Sequence, residues 1–130
     1  MIVVDSSALM AIVMNEPAAD ACSDRLALTD EVLISAGTLA EALIVSRTRN
    51  RERQMEELLQ TVAPKVIDMT ESSARRAADA YQTWGRGFHP TSLNFGDCFA
   101  YALARERGCP LLFVGGDFAA TDTLSALPKG

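Results

Sequence analysis

Four short aliphatic runs punctuate this chain of 130 residues: Ile2–Asp5 (IVVD), Val32–Ser35 (VLIS), Lys65–Asp68 (KVID) and Leu111–Val114 (LLFV). They lack the strict alternation of apolar and polar residues that marks a strand with one wet face. Continuous apolar strands belong to sheets covered on both sides. The stretches between them are long enough for helices. The pattern predicts helices from Ser6 to about Met14, from Pro17 to about Leu28, from Ala36 to Asn50 with Leu39, Leu43 and Ile44 on one side, and over Arg51–Val62, which stops before Pro64. Two more are predicted over the alanine-rich Glu71–Trp84 and over Phe95–Arg107, the latter closed by Gly108. The stretch from Gly85 to Gly96 (GRGFHPTSLNFG) is the longest expected loop.

Strands that alternate with helices in this way make a parallel sheet, and right-handed crossovers place helices on both of its faces. The expected fold class is therefore α/β: a three-layer α/β/α sandwich around a central parallel sheet of four to five strands. One domain over residues 1–130 is expected, since no repeat, low-complexity tract or linker divides the chain. Apolar residues make up 48% of it and charged residues 22%, which excludes a disordered chain. No apolar run is long enough to span a bilayer, and the N-terminus lacks the pattern of a signal peptide, so a cytoplasmic location is expected. Cys22, Cys98 and Cys109 are widely spaced, with only His89 to join them, and are expected as buried free thiols rather than zinc ligands.

In open α/β sheets ligands bind beyond the carboxyl ends of the strands. Four acids map to that rim or within two helical turns of it: Asp5 ends the first strand, Glu41 lies early in the helix after the second, Asp97 opens the helix leading to the last strand, and Asp117 follows LLFV. Each also fits a purely structural role. Asp5 and Asp117 could cap helices. Thr38-Leu39-Ala40-Glu41 fits a capping box, and Asn94-Phe95-Gly96-Asp97 is a weaker version of one. Asp97, Ala100, Tyr101 and Ala104 share one helix face, so small alanines packed on the sheet would turn Asp97 inward, where it needs a partner. Carboxylates crowded together cannot all stay ionised without a counter-cation. Oxygen ligands of this kind suit Mg²⁺ or Mn²⁺, and such an ion on a phosphodiester can drive hydrolysis without a histidine or a nucleophilic side chain. The net charge of −5 speaks against a nucleic-acid binder held by a basic surface, but not against an enzyme whose acids hold cations.

With these residues in view, the chain resembles the PIN-domain ribonucleases, in particular the VapC toxins of bacterial toxin–antitoxin pairs. IVVDSSAL is similar to the family's opening strand, ISAGTLAEALIV to its second block, and LNFGDCFAYALARERGCPLLFVGGDFAATD to its third. The resemblance implies a Mg²⁺- or Mn²⁺-dependent endoribonuclease with Asp5, Asp97 and Asp117 as metal ligands, directly or through water. Glu41 would complete the acidic quartet, and Ser7 would stand behind the ligands as a hydrogen-bonding residue. It also implies structured RNA such as tRNA or rRNA as substrate, a VapB-type antitoxin as partner, and a homodimer. The fourth acid departs from the pattern, since it sits in VGGDF where many relatives carry Thr-x-Asp, and Asp122 matches a recurrent acid without an evident role.

Several other features carry two readings each. Arg47, Arg49, Arg51 and Arg53 alternate along SRTRNRERQ and could be a solvated connection or a contact for RNA or antitoxin, with Asn50 a break in the helix. Arg86, Gly87 and His89 could form a mobile basic loop that steers a phosphate backbone, although a lone loop histidine is more often incidental. Tyr81 and Trp84 are expected to be packing residues. Two rival functions are a receiver-type phosphoryl-transfer domain and an inert partner-binding domain of the same fold. The first lacks the lysine expected after a late strand, and the haloacid-dehalogenase variant of that class needs Asp-x-Asp where this chain has Asp5-Ser6-Ser7. The second would be expected to have lost carboxylates that are all present here.

Overall fold

The computed structural model describes residues 1–128. The chain runs β1 (Ile2–Val4), α1 (Ser6–Val13), α2 (Ala19–Ala27), β2 (Val32–Ser35), α3 (Ala36–Thr48), α4 (Glu52–Val62), β3 (Lys65–Ile67), α5 (Glu71–Trp84), α6 (Phe95–Arg107) and β4 (Leu111–Leu112). The strands pair in parallel in the order β3-β2-β1-β4. β1 is therefore flanked on both edges, and Ile2, Val3 and Val4 are wholly buried, as an unbroken aliphatic run demands. An isolated bridge from Leu111 to Ser125 lays the C-terminal segment beside β4, in the position of a fifth strand.

Successive strand residues face opposite layers. Val3, Leu33 and Leu111 pack with Ala77, Ala80, Tyr101 and Phe118 beneath α5 and α6. Ile2, Val4, Ile34 and Leu112 pack with Leu9, Cys22, Ala42 and Met55 beneath the first four helices. The expected three-layer α/β/α sandwich is thus the observed architecture. The chain steps from β1 through β2 to β3, then returns to set β4 on the far side of β1. That reversal places the switch point of the sheet between β1 and β4, where doubly wound sheets hold ligands.

Several boundaries move for identifiable reasons. Asp5 leaves the first strand because its carboxylate turns back to cap α1, accepting the Ser7 N–H. The last strand stops at Leu112, two residues short of the expected Val114, because the Val114 N–H donates to the Ser7 hydroxyl rather than to a ladder partner. Pro17 stands two residues before α2, which starts at Ala19. α3 stops at Thr48, and Asn50, at φ +56°, makes the break before α4.

The connection from Gly85 to Asn94 is braced by internal hydrogen bonds. Leu93 is wholly buried, its N–H donates to the Trp84 carbonyl, and its own carbonyl accepts from Arg86. Thr91 donates its hydroxyl to the Trp84 carbonyl at 2.6 Å. His89 takes the Thr91 N–H on Nδ1 and sets its ring edge-on to Trp84, with centroids 4.8 Å apart. The histidine is thus a strut of that loop, its Nδ1 engaged by Thr91. Trp84 and Tyr81 are packing residues as expected, set against the core under α6. The three cysteines are free and buried.

Candidate active site

Helices α1, α3 and α6 begin at the carboxyl rim of the sheet, and each brings a polar cap with it. Asp5 caps α1, Ser35 caps α3 by accepting the Gly37 N–H, and Asn94 caps α6. Helix N-termini carry partial positive charge, so their convergence favours the acids gathered there.

Asp5 is almost wholly buried, at 2% exposure. Its Oδ2 accepts the Ser7 hydroxyl at 2.6 Å and the Ser7 N–H at 3.1 Å. Ser7 in turn accepts the Val114 N–H at 3.0 Å, so one hydroxyl ties the ends of β1 and β4 to the carboxylate. The other oxygen, Oδ1, is buried without any partner. An unpaired carboxylate oxygen away from water is costly. Burial accordingly pushes the Asp5 carboxyl up to about 6 against the two Ser7 bonds that hold it down, and the charge of Glu41 adds to the rise.

Asp97 occupies the third position of α6 and is also buried. The box with Asn94 does form: Asp97 Oδ2 accepts the Asn94 N–H at 3.0 Å, and the Asp97 N–H donates to Asn94 Oδ1 at 2.9 Å. The structural role and the candidate role therefore coexist, because the cap engages one oxygen only. Desolvation pushes this carboxyl up to about 7, opposed by the Asn94 bond and reinforced by the charges of Asp5, Asp117 and Glu41. Asp97 thus feels all three of the other acids across the rim.

Glu41 does not complete a capping box with Thr38. Ser35 is the cap, Thr38 is buried in the first turn, and Glu41 instead accepts the Ser6 hydroxyl on Oε1 at 2.5 Å. Asp117 lies exposed in the turn after β4 and caps no helix. Asp122 is engaged elsewhere: it accepts the Tyr101 hydroxyl at 2.5 Å and pairs with Arg105 at 2.9 Å. Arg47 and Arg53 pair with Glu52 and Glu57 on the exposed α3–α4 connection, which favours the solvated reading of that stretch.

Among the described residues, no group of three or more His, Cys, Asp or Glu side chains stands ready to hold a metal ion. The donor set is nonetheless all carboxylate, neighbouring acid charges add to the raised proton affinity of Asp5 and Asp97, and a buried oxygen of Asp5 lacks a partner. Those are the properties a hard divalent cation answers. Sequence reasoning missed two contributors, Ser6 and Gly96. A hydroxyl beside Asp5 and a glycine beside Asp97 were the available signals, but only the fold brings both against Glu41.

The PIN domain family model matches residues 2–124. The VapC ribonuclease Mb0625 of Mycobacterium bovis is 41% identical over 131 aligned residues, covering 98% of this chain and 98% of the relative. Ribonuclease VapC30 of Mycobacterium tuberculosis is 37% identical over 130 residues, covering 97% and 99%. Among solved structures, Mycobacterium tuberculosis VapC20, described as a sarcin–ricin loop cleaving toxin, superposes with a TM-score of 0.77 at 18% identity, over 98% of this chain and 100% of that one. A toxin–antitoxin complex from Klebsiella pneumoniae gives 0.70 at 19% identity, over 94% and 93%. At those identities the two structures speak for the fold alone.

Proposed function

This chain belongs to the PIN domain family, in company with VapC ribonucleases, and from that premise we propose that it is a metal-dependent endoribonuclease and the toxin of a toxin–antitoxin pair. The observation that carries the proposal is the partnerless Oδ1 of Asp5, buried at the switch point of the sheet and under the charge of Glu41. An acidic rim repels an RNA phosphate unless cations stand between them. Asp5, Asp97 and Asp117 are proposed to hold Mg²⁺ or Mn²⁺, directly or through water, with Glu41 completing the acidic set. When bound, such an ion polarises the phosphodiester, lowers the pKa of the attacking water and steadies the leaving oxygen.

The chain's own residues do the positioning. Ser7 fixes the rotation of the Asp5 carboxylate by occupying Oδ2, which leaves Oδ1 turned away from that bond. Asn94 does the same for Asp97. Two acids are thus pre-oriented, while Asp117 lies exposed on its turn. Preorganised groups of this kind reduce the reorganisation needed at the reacting centre.

The substrate is proposed to be structured RNA, tRNA or rRNA, and the partner a VapB-type antitoxin. Homodimerisation draws support from the apolar face along α5 and α6, where Phe88 and Phe95 stand exposed beside a groove lined by Met69, Ala77, Cys98 and Phe99. Residues 1–130 are proposed as one nuclease domain, since β1 and β4, from opposite ends of the chain, pair directly. No helix among the described residues is long and apolar enough to cross a membrane, and cytoplasmic residence forms part of the proposal.

The deciding experiment is RNA cleavage by purified protein with Mn²⁺, with and without a chelator, for the wild type and for Asp5→Asn and Asp97→Asn. Cleavage by the wild type, lost on chelation and in both variants, is expected. Chelator-resistant cleavage, or activity surviving both substitutions, would overturn the assignment.

A further inference from the structure

We propose that Ser6 and Gly96 are positioning residues for Glu41, holding its carboxylate between the starts of α1 and α6, beside the buried acids Asp5 and Asp97, where it is available to a divalent cation. This rests on the metal-dependent reading above.

Glu41 is reached from two sides. The Ser6 hydroxyl donates to Oε1 at 2.5 Å across 35 residues of sequence, rather than turning back to its own helix. On the other side, the carboxylate lies against the bare Cα of Gly96. A Cβ there would stand 1.9 Å from Oε2 and 2.6 Å from the carboxyl carbon, so no residue with a side chain fits without displacing Glu41. Ser6 follows Asp5 in sequence and Gly96 precedes Asp97. The two clamping residues are therefore bonded to the two buried acids, and the place of Glu41 is tied to both.

A glutamate needs such a clamp here. It has three rotatable bonds, and its charge acts on both Asp5 and Asp97. Left alone, it would swing away from two like charges. A short O–H···O⁻ bond is among the stronger hydrogen bonds and opposes that swing. Hydrogen-bonding neighbours of metal-binding carboxylates act in this way, by orienting groups that do the binding.

The test is Mn²⁺ titration of the purified full chain, followed by calorimetry or by the electron paramagnetic resonance of free Mn²⁺. Ser6→Ala is expected to weaken Mn²⁺ binding by roughly tenfold, and Ser6→Thr, which keeps the hydroxyl, to recover most of it. In a Glu41→Gln background, Ser6→Ala should add no further loss, because Ser6 acts through Glu41. Gly96→Ala should weaken binding similarly; melting curves in chelator report whether that variant folds, and if it does not, the Ser6 series decides. Wild-type binding with Ser6→Ala unchanged, or losses that simply add in the double variant, would overturn the positioning role while leaving the nuclease reading intact. A wild type that binds no Mn²⁺ would overturn both.

Discussion

The hydroxyl of Ser7 holds one oxygen of Asp5 at 2.6 Å, while the carboxylate's second oxygen, equally enclosed, has no partner. Ser7 also receives the Val114 N–H, so the bond that orients the acid is the bond that ends the last strand. Removing that hydroxyl leaves a part-buried N–H and a buried carboxylate each short of a partner. Ser7→Ala is expected to destabilise the protein by about 1–3 kcal/mol and to lower RNA cleavage. Urea denaturation and a cleavage assay check the two effects separately, and an unchanged midpoint would contradict the dual role.

Asp97 makes the metal-free protein sensitive to pH. Its carboxyl is raised from 3.8 to about 7, chiefly by burial, so the fold favours the protonated form. The folded chain therefore binds more protons than the unfolded chain between those values, and stability falls as pH rises through that window. In chelator, the melting temperature should drop from about pH 4 to about pH 7. Asp97→Asn should flatten that slope and raise stability at pH 7, by on the order of 2 kcal/mol at about 1.4 kcal/mol per pKa unit discounted for relaxation, while abolishing cleavage. A variant less stable than wild type at pH 7, with an unchanged slope, would contradict the prediction.

Gly37 tests the approach of α3 to α6 without touching an acid. A Cβ at this position would meet the Phe99 ring at 2.7 Å. Overpacking of this kind costs about 1–3 kcal/mol, partly offset by the better helix propensity of alanine. Gly37→Ala is expected to lower the melting temperature by several degrees, and a variant as stable as wild type would show that the ring moves aside freely.

Asp122 serves Tyr101 and Arg105 rather than the acidic rim. The same Tyr101 hydroxyl accepts the Trp84 indole N–H at 2.9 Å, so the C-terminal turn is tied through α6 to the end of α5. Asp122→Ala is expected to cost about 1.5–2 kcal/mol, the low end for a hydrogen bond to a charged group because Asp122 is partly exposed, and to keep RNA cleavage near the wild-type level. Loss of cleavage in a folded Asp122→Ala protein would return this residue to the active site.

Much of the fold was legible because its signals are local. The continuous IVV and LLFV runs, the breakers at Pro17, Asn50 and Pro64, and the stop at Gly108 each act within a few residues. The places of Asp5 and Asp97 at the sheet rim follow from the same local reading, since both sit where a predicted strand ends or a predicted helix begins. Boundaries shifted where a distant partner intervened. LLFV lost two residues of strand because Ser7, 107 positions away, took the Val114 N–H.

The chain's own order of residues was enough to mark out a parallel α/β sandwich and to put Asp5 and Asp97 where a strand ends and a helix begins, because continuous apolar runs and helix breakers are short-range signals. What each acid touches there was set by packing between distant segments. The tertiary structure left Glu41 outside the Thr38 box and handed it to Ser6, let Asp97 cap a helix with one oxygen while keeping the other, and gave Asp122 to Tyr101. It also locked His89 into a folded loop. Those outcomes depend on hydrogen bonds and close contacts that exist once the strands have paired, some between residues far apart along the chain and some within a loop that only the packed core holds in shape.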